Sequence, residues 1–346
     1  MSILSGISDF FGLDIGASAV RMVQLKGQGA TKSLARYGST PVEGNISLSD
    51  SPEDIKKMSE LIKQAVKQHG MSTNNVAVGI QSNKVFSTIV DMDKLSPHEL
   101  EKTLEYQVDS IIPTKASESK VDWAVLGDSP VQEGKVEVLV SSVANSLVES
   151  KLDMLESIGL NVVAFETDSI ALARAIVPND SPEAMMVVDL GLHSADIIIV
   201  MAGSPRLSRT ISTGTDAIIK AAATTLAVDY AQAEQFVFKF GLVKDKLEGQ
   251  LVNAITPTID LLVQDIDKSI KFFNGRYKGV KIDRIIVTGG ASILPEFPLH
   301  LANNFGVNVE IGNAWRNVNY DSSRQNELQA ISNHFGVAAG LAERKE

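Results

Sequence analysis

The sequence of 346 residues contains no cysteine. Disulfides, zinc-thiolate sites, iron-sulfur clusters and cysteine nucleophiles are therefore excluded, and the composition fits a reducing compartment inside a cell. Basic residues are also in deficit, with 32 Lys and Arg against 42 Asp and Glu and a formal net charge of -10. A broad electrostatic surface for nucleic acid or anionic lipid is not expected from this balance.

Long apolar runs are missing as well. No stretch reaches the roughly 18 to 20 apolar residues that a membrane-spanning helix requires. The segment Met1 to Phe11 is apolar but has neither a basic region nor a small-residue cleavage site, so no signal peptide is expected. With 44% hydrophobic and 21% charged residues the chain is typical of a globular protein, and its length predicts two domains rather than one.

Helix and strand patterns predict an α/β fold with an insertion in the first half. Ser51-Pro52 and Ser96-Pro97 have the form of helix N-termini, and Gly70 ends the first of these helices. From about residue 83 to residue 165 the predicted elements follow the order β-α-β-β-α-β. This order is typical of a ferredoxin-like subdomain.

Two similar strand-turn-strand units indicate an internal duplication. The first turn is Asp14-Ile15-Gly16, and the second begins at Asp189 and contains Gly191. Two such units half a chain apart predict duplicated domains, residues 1–175 and 176–346. The second would contain a helical subdomain near 216–280, with helices over 216–228, 230–240 and 258–273. A strand over 284–288 would enter the turn Gly289-Gly290, and a C-terminal helix would start near Asn326.

These turns point to nucleotide chemistry. Glycine after a strand lets backbone N–H groups approach an anion, and two hairpins with carboxylates at their tips could clamp a magnesium nucleotide between two domains. The Gly289-Gly290 turn adds a surface for a flat base.

The same segments resemble the motifs of the actin-like ATPase superfamily. Leu13 to Arg21 and Val188 to Asp196 resemble the two phosphate motifs, and Ile286 to Pro295 resembles the adenosine motif. Asp168 to Ala173 and Gly336 to Ala342 resemble the two connecting helices. Within the superfamily the chain resembles the PilM family of type IV pilus assembly proteins, which is related to FtsA. Leu95 to Pro113, Pro205 to Ile211 and Gly312 to Trp315 are the stretches that carry this narrower resemblance.

The resemblance implies a site for ATP or ADP with magnesium. Nucleotide contacts are implied for Asp14, Gly16, Ala17, Ser18, Arg21, Asp189, Gly191, Ser194, Glu234, Gly289, Gly290, Ala291 and Ser292. Asp14 and Asp189 would hold magnesium through water. Asp168, with Glu166 beside it, occupies the position that orients the attacking water in some relatives, although both carboxylates fit a capped and solvated helix start equally well.

Two positions depart from the family pattern. Arg21 replaces the usual Lys, and Arg spreads its charge over a planar fork, so that phosphate geometry would differ. Val237 stands where a Lys contacts the ribose or base in relatives. The second departure weakens the expectation of tight nucleotide binding.

The function implied by the resemblance is that of a cytoplasmic, ATP-binding scaffold. It would recruit a short N-terminal peptide of a PilN-like inner-membrane protein into a groove beside the inserted subdomain, and it would lie peripheral to that membrane. Whether it is an enzyme stays open, with slow ATP hydrolysis at most. The alternatives are a small-molecule kinase on the same fold and an FtsA-like tether. The tether has less support because no amphipathic helix follows Ala342 before Glu346.

Overall fold

A computed structural model describes residues 9–27, 31–178, 181 and 183–345 of the chain. Residues 1–8 and Glu346 lie outside this part. Most of the N-terminal segment in which no signal peptide is expected is therefore outside the described residues. None of the described helices is both long enough and apolar enough to cross a membrane.

The first half contains eight strands and four helices within its described residues. In chain order these are β1 (Phe11–Ile15), β2 (Ala19–Lys26), β3 (Lys32–Pro41), α1 (Pro52–Gln68), β4 (Asn75–Ile80), β5 (Val85–Asp93), α2 (Pro97–Ile111), β6 (Ser119–Asp128), β7 (Lys135–Ala144), α3 (Asn145–Glu156), β8 (Asn161–Thr167) and α4 (Asp168–Ile176). The capping predictions are confirmed. Ser51 accepts a hydrogen bond from the amide of Asp54, and Ser96 forms a reciprocal capping box with Glu99.

The second half adds six strands and six helices in its described residues. They are β9 (Ala184–Leu190), β10 (Ala195–Met201), β11 (Ser204–Ile211), α5 (Thr215–Leu226), α6 (Tyr230–Phe240), α7 (Gln250–Arg276), β12 (Ile282–Gly289), α8 (Phe297–Phe305), β13 (Asn308–Ile311), β14 (Val318–Asn319), α9 (Gln325–Ile331) and α10 (Gly336–Ala342). The central strand β9 is almost continuously apolar because both of its faces are buried.

The duplication predicted from the two turns is visible in the sheets. One sheet has the order β14-β3-β2-β1-β4-β8 and the other has the order β11-β10-β9-β12-β13. In both sheets, three antiparallel strands are followed by two strands that run parallel to the first strand of the three. The parallel pairing starts between β1 and β4 in one sheet and between β9 and β12 in the other. The carboxyl ends of β1 and β9 and the turns that follow them therefore occupy equivalent places in the two halves.

The inserted subdomain differs from the ferredoxin-like prediction. The predicted order of elements is present, but only β5, β6 and β7 form a separate sheet, in the order β5-β7-β6 with α2 packed on it. The last predicted strand, β8, pairs in parallel with β4 and belongs to the large sheet. The order of elements along the chain does not determine which sheet edge a strand joins, and β8 joins the edge of the larger sheet.

Two helix boundaries in the second half also differ from the sequence-based ones. α7 begins at Gln250 rather than near Thr258 and continues through Pro257. Proline removes one helical hydrogen bond, but Leu251 and Ile255 before it pack on the same core as Ile259 after it. The C-terminal helix is two helices, α9 and α10, joined by a short 3-10 turn at Ser332–His334.

The two connecting helices pack against one another at the centre of the molecule. A Cβ atom on Gly340 of α10 would lie 1.8 Å from the carbonyl oxygen of Ala171 in α4. A Cβ atom on Gly12 of β1 would lie 2.3 Å from the carbonyl oxygen of Ala338. Only glycine permits these approaches, which bring both halves close to a shared cleft.

Candidate functional site

The two hairpin turns have the same backbone geometry. In the β1–β2 turn the amide of Gly16 donates to the carbonyl of Ala19 at 3.1 Å, and in the β9–β10 turn the amide of Gly191 donates to the carbonyl of Ser194 at 3.0 Å. Asp14 and Asp189 are the equivalent carboxylates just before these turns. Asp14 lies opposite Arg21 across its hairpin, and Asp189 lies opposite Asp196. The duplication is therefore chemically asymmetric.

The third glycine turn, Gly289-Gly290, is held in place by close contacts with the β9–β10 turn. Gly289 ends β12 with φ +81°, and a Cβ atom there would lie 2.4 Å from the carbonyl oxygen of Leu190 and 2.6 Å from Asp189 Oδ1. The Asn333 side chain donates to the Gly289 carbonyl at 2.9 Å, as does Ser292 Oγ at 2.7 Å. A side chain at position 289 would displace Asp189 from the cleft.

These turns enclose a cavity of about 570 Å³ between the two halves, a volume within the usual range for small-molecule sites. Most of the residues predicted from the sequence line it, namely Asp14, Gly16, Ala17, Ser18, Arg21, Asp168, Asp189, Gly191, Ser194, Glu234, Gly289 and Gly290. Their convergence from both halves matches the two-hairpin arrangement expected from the sequence.

Three predicted residues do not line the cavity. Ala291 and Ser292 are fully buried beneath the third turn, where Ser292 supports Gly289. Glu166 lies in a different cavity, and its carboxylate accepts hydrogen bonds from Arg174 at 2.8 and 2.5 Å. Arg344 is also 3.1 Å from Glu166 Oε1. Glu166 is thus an ion-pair partner of α4 and the C-terminal segment, outside the cleft.

Carboxyl groups are the main ionisable groups of the cavity. The pKa of Asp168 is raised well above its usual range, first by burial and then by repulsion from Asp14 and Asp196. Burial raises the pKa of Asp189 to about 7, with Asp196 and Asp14 adding to the effect. Burial also raises the pKa of Asp14, which Arg21 at 3.8 Å partly offsets. A bound cation would relieve this repulsion.

The donor set fits a hydrated divalent cation better than a directly caged one. Within the described part of the chain, no three carboxylate or imidazole groups are close enough together to hold a metal ion. Magnesium usually keeps several waters and binds through one or two carboxylates plus phosphate oxygens. Asp14 and Asp189, placed on opposite hairpins, suit that mode.

Three residues of the cavity wall carry a buried polar atom that has no hydrogen-bond partner among the described residues, namely Arg21 Nε, Ser82 Oγ and Asp168 Oδ1. A buried polar group without a partner costs free energy. A bound anion would supply a partner for Arg21.

Sequence reasoning missed several side chains in the cavity wall, His334 and Phe238 among them, and misjudged Val237. His334, next to the tethering Asn333, lines the cavity, and burial followed by the charge of Arg21 lowers its pKa to about 4. Phe238 lines it one helical turn after Glu234, whereas Val237 is fully buried in the core. The i to i+4 spacing from Glu234 would have identified Phe238. No local signal marks His334.

Duplicated sheets, two closely packed connecting helices and a cleft with paired glycine turns define a protein of the actin-like ATPase fold. The family model of the type IV pilus assembly protein PilM matches residues 12–346. The chain therefore belongs to the PilM family of type IV pilus assembly proteins.

Solved structures agree with this assignment. A chain of the "PilM-PilN type IV pilus biogenesis complex" is 25% identical, with a TM-score of 0.79 over 96% of this chain and 97% of that chain. The ethanolamine utilization protein EutJ from Carboxydothermus hydrogenoformans is 16% identical, with a TM-score of 0.56 over 96% and 88% of the two chains. MreB5 of Spiroplasma citri bound to AMPPNP is 13% identical, with a TM-score of 0.53 over 96% and 94%. The last two similarities establish the fold alone.

Proposed function

We propose that the protein is an ATP-binding scaffold of type IV pilus assembly that recruits a PilN-like inner-membrane partner through a short N-terminal peptide. The observation that carries the proposal is the convergence of Asp14, Asp189 and three glycine turns on one cleft. Membership of the PilM family supplies the cellular process. The partner is suggested by the related PilM chain, which was solved as a PilM–PilN complex.

The cleft offers separate places for each part of the nucleotide. The backbone of the two hairpin turns, with Arg21 beside it, suits phosphate oxygens. Glu234 and Phe238 on α6 suit the ribose and base, and Gly290 leaves room for the base to approach the backbone. MreB5, which shares the fold, has been solved with AMPPNP and with ADP.

A magnesium ion, when bound, would neutralise phosphate charge beside Asp14 and Asp189. Asp168 is the cleft residue suited to orient a water molecule, because it lines the cavity while its Oδ1 packs closely on the backbone of Gly79, which fixes the side chain. Burial, followed by the neighbouring carboxylates Asp14 and Asp196, raises the pKa of Asp168, so a cation bound in the cleft would favour its ionised form.

Calorimetric titration of ATP with and without magnesium tests the nucleotide part of the proposal. Wild-type protein should bind ATP more tightly with magnesium, and Asp14→Ala and Asp189→Ala should each lose most of that magnesium-dependent gain. Asp267→Ala, which removes an exposed carboxylate on α7, is the matched control and should bind like wild type. Absence of binding at millimolar ATP would reject the nucleotide role.

The peptide site that we propose is a groove between the inserted sheet and the rest of the first half. A cavity of about 310 Å³ is lined by β6, β7, the end of β8 and the start of α4, and its lining is mostly apolar. Strand β6 is an edge of the three-stranded sheet, and five consecutive residues, 120–124, line the groove. An extended peptide could pair with this edge while its apolar side chains enter the groove.

Adjacent positions on β6 give a matched test of this groove. Ala124 lines it, whereas the neighbouring Val125 is exposed and does not. A fluorescent peptide from the N-terminus of a PilN-like partner should bind wild type and Val125→Arg with similar affinity. Ala124→Arg should weaken binding at least about tenfold, the equivalent of roughly 1.4 kcal/mol. Equal loss in both variants, or in neither, would place the peptide elsewhere. Such binding would hold the protein at the cytoplasmic face of the inner membrane.

A further inference from the structure

A fully buried carboxylate on the inserted sheet faces the second half of the molecule. Glu137 in β7 has no exposed surface, and its Oε2 lies 2.9 Å from Nε of Arg206 in β11, an ion pair at contact distance whose angle is outside hydrogen-bond geometry. Its Oε1 accepts hydrogen bonds from Arg276 at 2.9 Å and from the hydroxyl of Tyr277 at 2.8 Å, both at the end of α7. The insert is thus tied to the second half, although it is contained within the first half of the sequence.

A second carboxylate completes the cluster. Asp91 in β5 lies directly opposite Glu137 across the β5–β7 pair, and two like charges in that arrangement repel one another. Arg276 bridges them, since its Nη2 donates to both Asp91 oxygens at 2.9 and 3.0 Å. Arg206 also donates to the Leu126 carbonyl in β6 at 3.4 Å. The two carboxylates of the insert therefore form ion pairs with two arginines of the second half.

The cluster lies close to the proposed peptide groove. Leu139, two residues after Glu137 on the same face of β7, lines the groove on one side and a cavity of about 500 Å³ on the other. Ile170 of α4 does the same, and Asp168 at the start of that helix lines the nucleotide cleft. The groove wall is one layer of side chains thick at this point, so its shape depends on where the insert sits.

We propose that Glu137 and Asp91 with Arg206 and Arg276 form a latch that holds the inserted sheet on the second half and so sets the width of the peptide groove. Buried ion pairs are better attested as devices that specify one arrangement than as sources of stability. The effect on peptide binding rests on the proposed function, whereas the latch does not.

The absence of cysteine from the chain permits a direct test of the latch. Lys102→Cys on α2 and Gln264→Cys on α7, both exposed positions, take spin labels for a distance measurement by electron paramagnetic resonance. The latch should give one narrow distance distribution.

Glu137→Gln with Arg206→Met removes both members of the buried pair and avoids an unpaired charge, and it should broaden the distribution. Asp91→Asn with Arg276→Met should do the same. Lys271→Met, which breaks an exposed pair on α7, should not.

Peptide affinity, measured on the same proteins, separates the two proposals. Both latch variants should bind the PilN-like peptide roughly tenfold more weakly, about 1.4 kcal/mol, while their circular dichroism stays that of wild type. Unchanged distance distributions in both latch variants would overturn the latch whatever the peptide does. If wild type itself binds no peptide, the proposed function fails, and the distances still decide whether the latch exists.

Discussion

The buried carboxylate of Asp168 rests against the backbone of Gly79, at a separation that leaves no room for a side chain. A Cβ atom on Gly79 would lie 2.2 Å from Asp168 Oδ1. The last strand residues of β4 thus position the start of α4, and with it a carboxylate of the cleft.

Gly79→Ala should move the Asp168 side chain and cost about 1 to 3 kcal/mol of unfolding free energy, the usual range for overpacking. Magnesium-dependent ATP hydrolysis should fall with it. Urea unfolding and a phosphate-release assay measure the two effects. Gly275→Ala in α7 is the control, since a Cβ atom added there would have no neighbour within 4 Å, and it should be neutral or stabilising by up to about 1 kcal/mol. Equal effects of the two substitutions would contradict the contact.

Val237→Lys, the change that the family pattern would suggest, should not restore a nucleotide contact. Val237 is fully buried in the core of the second half, and an unpaired buried ammonium group is strongly unfavourable. We expect a loss of roughly 3 kcal/mol or more in thermal or urea unfolding.

Phe238→Ala should show the opposite behaviour. Because Phe238 lines the cleft and is only partly buried, the variant should keep most of its stability and bind ATP several-fold more weakly in calorimetry. ATP affinity that rises in Val237→Lys would show that α6 presents a different face to the cleft.

Glu166→Gln should reduce stability and leave nucleotide affinity unchanged. The substitution leaves Arg174, which also donates to the Gly340 carbonyl at 2.7 Å, without its buried counterion, at a cost of about 3 kcal/mol. Asp168→Asn is the comparison, because Asp168 lines the cleft, and it should reduce hydrolysis with little loss of stability. If ATP hydrolysis falls in Glu166→Gln at temperatures well below the unfolding of this variant, Glu166 takes part in hydrolysis and the prediction is wrong.

Glu343 should make stability depend on pH. Burial raises the pKa of Glu343 to about 7, opposed by a hydrogen bond from Asn317 and by the charges of Arg174 and Lys32. The folded state therefore binds more protons than the unfolded state between about pH 4.5 and 7, so this contribution to stability is lost as the pH rises through that window.

Glu343→Gln should consequently be more stable than wild type at pH 8, on the order of 1 kcal/mol after allowing for partial exposure, and no more stable at pH 4.5. Unfolding free energies at the two pH values check the prediction. A constant difference between the proteins across the range would mean that Glu343 titrates normally.

Much of the architecture was predictable because it is encoded locally. The serine caps of α1 and α2, the hairpins before Gly16 and Gly191, and the two connecting helices each depend on residues within a few positions of one another. The inserted sheet was not predictable in the same way, because β8 could satisfy its backbone hydrogen bonds in either of two sheets. The start of α7 was not predictable either, because packing on both sides of Pro257 extends the helix back to Gln250.

For the candidate site, the sequence by itself determined which residue types lie in the turns, and hence the acidic and glycine-rich chemistry of the cleft. The sequence did not determine which way each of these side chains points. Val237 and Phe238 are neighbours, yet one enters the core and the other the cleft, and Glu166 lies two residues from Asp168 but points to Arg174. The pairing of Glu137 with Arg206 and Arg276 was likewise decided by the tertiary structure alone, because contacts between residues 69 and 139 positions apart exist only after the sheets have packed.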